Sequence, residues 1–252
     1  MYEPLPPILS YTIWFSQRTG STLLCHALES TGLAGHPGEH LQGTVEQLYT
    51  RHSARGPAEL RSRIWKVAST SNRVLGLKYG MTEYSFSSVL EAFREIDGHD
   101  GTRPGIWANT FPNGQHIFMT RRNKVRLAVS WWKAIQSQEW HRLRGVCPQA
   151  IDISDYYDPD AIDHLVAESV MREAAIQEFF AQGRIVPLTV TYEDFISKYE
   201  ETVFDILGWL GLDVATATVA PPAYEQLSDA VSEDWVQRFR RDKQARWKNR
   251  AW

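Results

Sequence analysis

Residues 8–30 read ILSYTIWFSQRTGSTLLCHALES, and this stretch divides into three parts. The apolar run from Ile8 to Phe15 predicts a strand, the polar residues Ser16 to Thr22 predict a tight loop, and Leu23 to Ser30 predicts the first turns of a helix. Backbone N–H groups at a helix start have no partner inside the helix, and the helix dipole adds partial positive charge there. The stretch therefore predicts a binding site for an anion such as phosphate or sulfate.

Length and composition favour a single large domain. The 252 residues are enough to bury one sizeable core, and we predict one domain over residues 1–252. The formal net charge of -3 and the pI near 6.2 argue against a nucleic-acid-binding protein, which needs a broad basic surface. Cys25 and Cys147 lie far apart without a second Cys at metal spacing, so no disulfide framework is predicted. No run approaches the roughly 20 apolar residues of a membrane span, and we predict a cytoplasmic protein without a transmembrane segment.

Strand and helix patterns alternate along the rest of the chain. Further strands are predicted over Val74 to Tyr79, His116 to Thr120 and Ile185 to Thr191. Helices are predicted over Thr44 to Arg51, Pro57 to Thr70, Thr82 to Ile96, Asn123 to Gln138, Pro159 to Gln182 and Glu193 to Leu210. Residues 97–114 are predicted to be irregular, Gly183 to lie just past a helix end, residues 44–72 and 139–182 to be helical insertions, and residues 232–252 to form a basic helix or tail.

This alternation predicts an α/β fold: a single P-loop-like domain with a mostly parallel central sheet flanked by helices on both faces. Ligands bind such sheets beyond the carboxyl ends of the strands. The residues that follow Phe15, Tyr79 and Thr120 are therefore expected to converge.

The loop departs from the P-loop that binds nucleoside triphosphates. It has no Gly at the first position of that motif and no Lys after Gly20, and its single cation, Arg18, precedes the Gly. The loop therefore fits one terminal anion better than a metal-bridged triphosphate. Glu193 and Asp194 are the nearest acidic partners for a metal at a strand end, but helix N-terminal acids are the competing interpretation.

A second anion site is indicated by residues 120–132, which read TRRNKVRLAVSWW. Arg122 leaves a predicted strand, and Ser130 follows eight residues later on the predicted helix. A guanidinium and a hydroxyl in this arrangement can hold a phosphate from two directions. A solvated basic helix start is the alternative.

In combination, four segments resemble the sulfotransferases that use 3'-phosphoadenosine 5'-phosphosulfate, and most closely the bacterial trehalose 2-sulfotransferase family. They are residues 16–24, 35–39, 121–140 and 233–242. The segments span most of the chain in the family's order. Known members of that family sulfate trehalose and related glycoconjugates.

The resemblance implies roles for individual residues. Arg18 would neutralise charge on the transferring and leaving oxygens, and Glu39 would act as general base toward the acceptor hydroxyl. Arg122 and Ser130 would grip the 3'-phosphate of the donor. The segment that holds the 5'-phosphosulfate would be Ser16, Gln17, Arg18, Thr19, Gly20, Ser21 and Thr22.

The acceptor side is less determined. His36, Lys78 and Trp140 are candidate acceptor-binding residues, although Lys78 can equally be a strand-end lysine whose stem lies along apolar surface. Many relatives have Asp where Asn123 stands and Gln where Leu127 stands, which leaves the acceptor open. The His36 to His40 stretch matches the zinc pattern H-x-x-E-H, but Pro37 and Gly38 are incompatible with the continuous helix that this pattern needs, so no metal is predicted.

The sequence thus predicts a sulfotransferase that transfers a sulfuryl group from 3'-phosphoadenosine 5'-phosphosulfate to a carbohydrate or glycolipid hydroxyl. The product nucleotide would be 3'-phosphoadenosine 5'-phosphate, and a homodimer is expected from the relatives. A P-loop kinase and a non-catalytic nucleotide- or anion-binding protein remain the alternatives.

Overall fold

A parallel four-stranded sheet forms the centre of the computed structural model, which describes residues 5–148 and 151–245. The strands are β1 (Leu9–Phe15), β2 (Val74–Gly80), β3 (Gly114–Thr120) and β4 (Leu188–Thr191). Their order across the sheet is β2-β1-β3-β4, and each neighbouring pair is parallel. The predicted α/β fold with a parallel sheet is confirmed.

Helices pack on both faces of this sheet because successive strand residues point to opposite sides. Trp14 belongs to an aromatic core on one face, where its ring centroid lies 4.8 Å from those of Trp107 and Phe179. Ile13 and Phe15 belong to a second core on the other face. The helices are α1 (Ser21–Ser30), α2 (Val45–His52), α3 (Pro57–Ala68), α4 (Glu83–Arg94), α5 (Arg103–Thr110), α6 (Lys124–Ser137), α7 (Pro159–Gly183), α8 (Tyr192–Ser197), α9 (Tyr199–Trp209) and α10 (Ala230–Gln244).

The prediction that residues 97–114 are irregular is wrong, because α5 lies within them. Thr102 caps this helix, and its hydroxyl accepts a hydrogen bond from the backbone N–H of Gly105 at 3.1 Å. Ile106 and Trp107 are buried in the aromatic core. Burial of these two side chains stabilises a helix of only eight residues whose local sequence, with Pro104 and Gly105, is typical of a turn.

The end of α7 also differs from the prediction. Gly183 is the last residue of the helix, and Arg184 takes the left-handed position after it, with φ of 50°. Gly183 is needed for another reason: a Cβ there would lie 2.9 Å from Cβ of Pro104. The predicted strand from Ile185 begins only at Leu188, after Pro187, which has no N–H for the strand ladder.

The predicted helix from Glu193 to Leu210 is two helices, α8 and α9, which meet at Lys198. The φ of -133° at Lys198 is outside the helical range and separates them. α10 begins at Ala230 with Asp229 as its N-cap, close to the predicted start. Arg246, Lys248 and Arg250 of the predicted basic tail lie outside the described residues.

Among the helices of residues 5–148 and 151–245, none combines the length and the apolar composition needed to cross a membrane.

Candidate active site

The loop between β1 and α1 is closed on itself by a short internal hydrogen bond. The hydroxyl of Thr19 donates to the carbonyl of Ser16 at 2.9 Å, and both side chains are buried. Arg18 and Gly20 have φ of 63° and 83°, which turns the chain sharply into α1. The first turn of α1 carries no acidic side chain and receives no side-chain cap from Gly20. A helix start of this kind can bind an external anion.

The ends of β1, β2 and β3 converge beside this loop, as the parallel sheet predicts. The ammonium of Lys78, near the end of β2, donates to the hydroxyl of Thr22 at 2.8 Å. Arg121, directly after β3, donates from Nη1 to the carbonyl of Arg18 at 3.4 Å. The expected convergence is confirmed for the residues that follow Phe15 and Thr120. At β2 the residue that reaches the loop is Lys78, inside the strand, and not a residue after Tyr79.

Glu39 faces the same cavity and forms an ion pair with Lys78. Its Oε1 lies 2.7 Å from Nζ of Lys78, whose side chain is 8% exposed against 45% for Glu39. The loop that carries Glu39 is fixed to β2, because the backbone N–H of Lys78 donates to the carbonyl of Gly38 at 3.0 Å. The arrangement holds a carboxylate at the cavity wall, where it can accept a proton from a bound ligand.

The two segments predicted to bind anions meet in this cavity. Nε of Arg18 donates to the hydroxyl of Ser130 at 3.0 Å, so the β1–α1 loop touches α6 directly. Burial, and then the neighbouring guanidinium of Arg121, lower the pKa of Arg18 to about 10, which leaves it protonated at neutral pH.

The structure brings Arg121 rather than Arg122 to the cavity wall. The guanidinium of Arg121 stacks over the ring of Tyr192 at 4.6 Å. Its buried Nε has no hydrogen-bond partner among the described residues and lies 3.8 Å from Oε1 of Glu193. Arg122 points elsewhere and forms a two-pronged pair with Asp194, with Nη1 at 2.8 Å from Oδ1. Glu193 accepts the backbone N–H groups of residues 122 and 123, at the start of α6. Glu193 is therefore engaged at a helix N-terminus, the competing interpretation given above.

The cavity has a volume of about 690 Å³, in the range of small-molecule sites. Among the described residues that line it are seven cations and three carboxylates. The cations are Arg18, Lys78, Arg121, Arg126, Lys133, Arg144 and Arg172, and the carboxylates are Glu39, Glu139 and Glu225. Carboxylates outside the lining pair closely with three of these cations, Arg126, Lys133 and Arg172. The positive charge that a ligand meets is therefore concentrated on Arg18, Arg121 and Arg144, and it favours an anionic ligand.

One wall of the cavity is a short two-stranded contact between residues 142–144 and 223–225. The backbone N–H of Arg144 donates to the carbonyl of Ala223 at 3.0 Å. His141 and Tyr224 line the cavity from this wall, with ring centroids 5.4 Å apart. Burial and the nearby cations Arg18 and Lys78 lower the pKa of His141 to about 4, so its imidazole is neutral at physiological pH.

Besides Arg122, three other predicted site residues do not present their side chains to the cavity. Ser16 and Thr19 are buried beneath the loop. His36 lies outside, where its Nδ1 is 2.9 Å from Oε1 of Glu29. The predicted residues that do line the cavity are Gln17, Arg18, Gly20, Ser21, Thr22, Glu39, Lys78, Ser130 and Trp140.

Sequence reasoning missed several of the lining residues. Arg121 could have been found as the neighbour of Arg122, and His141 as the neighbour of Trp140. Tyr224 and Arg172 have no local signal, because only the packing of distant segments brings them to the cavity.

Within the described ranges, no group of three or more His, Cys, Asp or Glu side chains is placed to hold a metal ion. In the H-x-x-E-H stretch, Nε2 of His40 is instead 2.9 Å from the carbonyl of His36.

Two proteins are similar to this chain over most of its length. The trehalose 2-sulfotransferase of Mycolicibacterium smegmatis is 28% identical and the alignment covers 93% of this chain and 96% of that protein. The trehalose 2-sulfotransferase of Mycobacterium tuberculosis is 27% identical, with 91% and 94% covered. The resemblance stated from the sequence is confirmed.

Solved structures give a more distant likeness. A sulfotransferase from Alicyclobacillus acidocaldarius is 14% identical with a TM-score of 0.46, over 96% of this chain and 95% of that chain. The sulfotransferase domain from the curacin biosynthetic pathway is 13% identical with a TM-score of 0.46, over 96% and 98%.

The family described as Stf0 sulphotransferase matches residues 10–242, nearly the whole chain. This match establishes that the chain belongs to the Stf0 sulphotransferase family and is a sulfotransferase.

Proposed function

We propose that this enzyme transfers a sulfuryl group from 3'-phosphoadenosine 5'-phosphosulfate to a hydroxyl of a carbohydrate or glycolipid. The observation that carries the proposal is the direct contact between Arg18 and Ser130, 3.0 Å apart. It joins the loop suited to a 5'-phosphosulfate with the helix suited to a 3'-phosphate. A nucleotide charged at both ends matches the cationic lining of the cavity.

The proposed reaction is an in-line transfer. The acceptor oxygen forms a bond to sulfur while the bond from sulfur to the bridging oxygen breaks, and the nucleotide bisphosphate leaves with the bonding electrons. Charge on the equatorial and leaving oxygens is stabilised by Arg18, by Lys78 and by the N–H groups at the start of α1. Glu39 takes the proton of the acceptor hydroxyl.

Lys78 connects the proposed donor site with the proposed base, Glu39. Nζ of Lys78 contacts both Thr22 on the donor side and Glu39 on the acceptor side, at 2.8 and 2.7 Å. Lys78 therefore orients the Glu39 carboxylate toward the reacting end of the donor.

The proposed acceptor is a trehalose-type disaccharide, since the relatives in two mycobacterial species are named trehalose 2-sulfotransferases. Trp140, His141 and Tyr224 are among the residues that line the cavity. An aromatic ring can pack on a sugar face, and a neutral imidazole and a phenol can hydrogen-bond to its hydroxyls.

The test of the base is Glu39→Gln. We expect the sulfuryl transfer rate to trehalose to fall by about 10²- to 10⁴-fold, because proton transfer is lost. Binding of 3'-phosphoadenosine 5'-phosphate, measured by calorimetry, should change little. Glu91→Gln, an exposed carboxylate on α4 paired with Arg94, serves as the control and should leave both unchanged. Undiminished turnover by the Glu39 variant would remove Glu39 from the base role.

Metal dependence separates the proposal from a P-loop kinase. Sulfuryl transfer by this cavity should continue in EDTA, because its own cations face the donor. A kinase would stop, since Mg²⁺ bridges the phosphates of its substrate. A non-catalytic nucleotide-binding protein would bind the bisphosphate without any transfer.

We further propose that residues 1–252 act as one sulfotransferase domain in the cytoplasm, as a homodimer. The two cores packed on a single sheet support the first statement. Light scattering coupled to gel filtration measures the dimer, and a monomeric mass would contradict it.

A further inference from the structure

A partly buried carboxylate in the middle of α7 joins the two segments that border the proposed donor site. Oε1 of Glu173 accepts hydrogen bonds from Ser16 Oγ at 3.1 Å and Thr120 Oγ1 at 3.0 Å. Nζ of Lys124 is 2.5 Å from the same oxygen. The Glu173 side chain is 14% exposed.

These three donors stand at the ends of three different elements. Ser16 follows β1 and opens the anion-binding loop, Thr120 ends β3, and Lys124 begins α6. One charged oxygen therefore fixes the start of the loop relative to the start of α6. A neutral amide oxygen, with two lone pairs and no charge, cannot serve three donors including a cation equally well.

Arg172, the preceding residue of α7, makes a second connection between the same segments. Its Nη1 donates to Oε1 of Gln17 in the loop at 2.6 Å. Its guanidinium lies over the ring of Trp131 on α6, 5.1 Å from the centroid. Arg172 and Glu173 therefore both contact the β1–α1 loop. Arg172 also contacts α6, and Glu173 also contacts the end of β3 and the start of α6.

We propose that Glu173 is a positioning residue that sets the separation between the sites for the two charged ends of the donor. This inference rests on the proposed function, in which the loop holds the 5' end and α6 holds the 3' end. A partly buried ion pair gains little stability over well-packed apolar side chains, because both charges are desolvated. The directional hydrogen bonds of Glu173 fix the position of the β1–α1 loop relative to α6 more closely than apolar packing would.

The test compares a ligand that engages both ends with a ligand that engages one. In Glu173→Gln, we expect the dissociation constant of adenosine 3',5'-bisphosphate to rise about tenfold, because misplacement by about 1 Å is costly when both ends must fit. That of adenosine 5'-monophosphate should rise about twofold or less. The donor KM should rise in parallel while the KM for trehalose stays unchanged.

Glu178→Gln is the matched control, since Glu178 lies on the same helix, is 65% exposed and pairs with Arg103. Both nucleotides should bind that variant as they bind the wild type. Thr120→Val is the second variant, because it removes one of the three donors and keeps the side-chain volume. Thr120→Val should also weaken binding of the bisphosphate more than that of the monophosphate, by a smaller factor. It therefore tests the proposal if Glu173→Gln does not fold.

Equal weakening of both nucleotides, or unchanged affinities in both variants, would overturn the positioning role. Failure of the wild type to bind the bisphosphate would overturn the proposed function itself and the inference with it. The two failures are therefore distinguished by the wild-type measurement.

Discussion

Arg122 lies at the junction of β3 and α6, where its guanidinium pairs with Asp194 and is 61% exposed. The 3'-phosphate role proposed from the resemblance requires Arg122 to exchange this carboxylate for the ligand. Asp194 would then compete with the donor for one guanidinium.

We therefore predict opposite effects for the two partners. Arg122→Ala should weaken binding of 3',5'-bisphosphate nucleotide by about 10- to 100-fold and that of the 5'-monophosphate much less, since only the former carries the 3'-phosphate. Asp194→Asn should tighten binding of the bisphosphate, because the competing charge is removed. Calorimetric titration with both nucleotides measures this, and equal losses for the two in Arg122→Ala would contradict the assignment.

His116 is a residue whose protonation opposes folding. Burial lowers its pKa to about 4, and Trp14 Nε1 donates to its Nδ1 at 2.9 Å, so that nitrogen is unprotonated in the native state. In the unfolded chain a histidine titrates near pH 6.5. The unfolded state thus takes up the proton first, and stability falls as the pH drops from about 6.5 toward about 4.

We predict that the free energy of unfolding decreases by at most about 2 kcal/mol between about pH 7 and about pH 5 through His116. His116→Asn retains an acceptor and cannot titrate, so urea denaturation of that variant should depend less on pH. The surface variant His164→Asn should keep the wild-type dependence. A remaining slope belongs in part to His40 and His141, whose pKa values are also lowered. Identical pH profiles for His116→Asn and the wild type would contradict the prediction.

The turn from β1 into α1 depends on Gly20 for two separate reasons. Its φ of 83° is in the left-handed region, and a Cβ would lie 2.6 Å from Cδ2 of Tyr192. Gly32, after the same helix, has φ of 68°, but no atom of the described residues lies within 4 Å of its Cβ position. A Cβ at either position would strain the backbone, but only at Gly20 would it also clash with a neighbouring side chain.

We predict that Gly20→Ala and Gly32→Ala each lose about 1 kcal/mol of stability from the left-handed backbone. Gly20→Ala should also displace Tyr192, on which Arg121 stacks, and weaken bisphosphate binding by about tenfold or more. Denaturation and calorimetry of the two variants provide the comparison. Equal nucleotide affinities in the two variants would disagree with this account.

How far the elements could be predicted depends on where their signals lie. β1 and α1 could be predicted because an apolar run, a polar loop and Gly32 at the helix end are all local signals. α5 could not, since its stability comes from burying Trp107 against Trp14, which is distant in sequence. The break between α8 and α9 at Lys198 could not be predicted either, because no Gly or Pro stands near it.

The candidate site follows the same division. The spacing of Arg122 and Ser130 predicted a second anion-binding segment, and Ser130 does face the cavity. Which of two adjacent arginines turns inward depends on Tyr192 and Asp194, both from the far end of the chain. Sequence spacing therefore predicts which segment lies at the cavity, but it does not predict whether Arg121 or Arg122 faces the cavity.

The molecule as a whole is acidic, yet its cavity is lined by more cations than carboxylates. Binding of a multiply charged nucleotide there should weaken as salt screens this field. We predict that raising NaCl from about 50 mM to about 500 mM increases the dissociation constant of adenosine 3',5'-bisphosphate about fivefold or more. The KM for trehalose, a neutral sugar, should change little. A bisphosphate affinity independent of salt would contradict a field-driven site.

The loop that carries Glu39 lies along β2, the outer strand of the sheet beside β1. The carbonyl of Gly38 accepts the N–H of Lys78, and the N–H of His36 donates to the carbonyl of Ala68 at 2.9 Å. An open strand edge offers unpaired backbone groups to other chains and promotes aggregation. The segment that presents the proposed base therefore also covers part of this edge, so a change that detaches it would cause the protein to self-associate as well as to lose turnover.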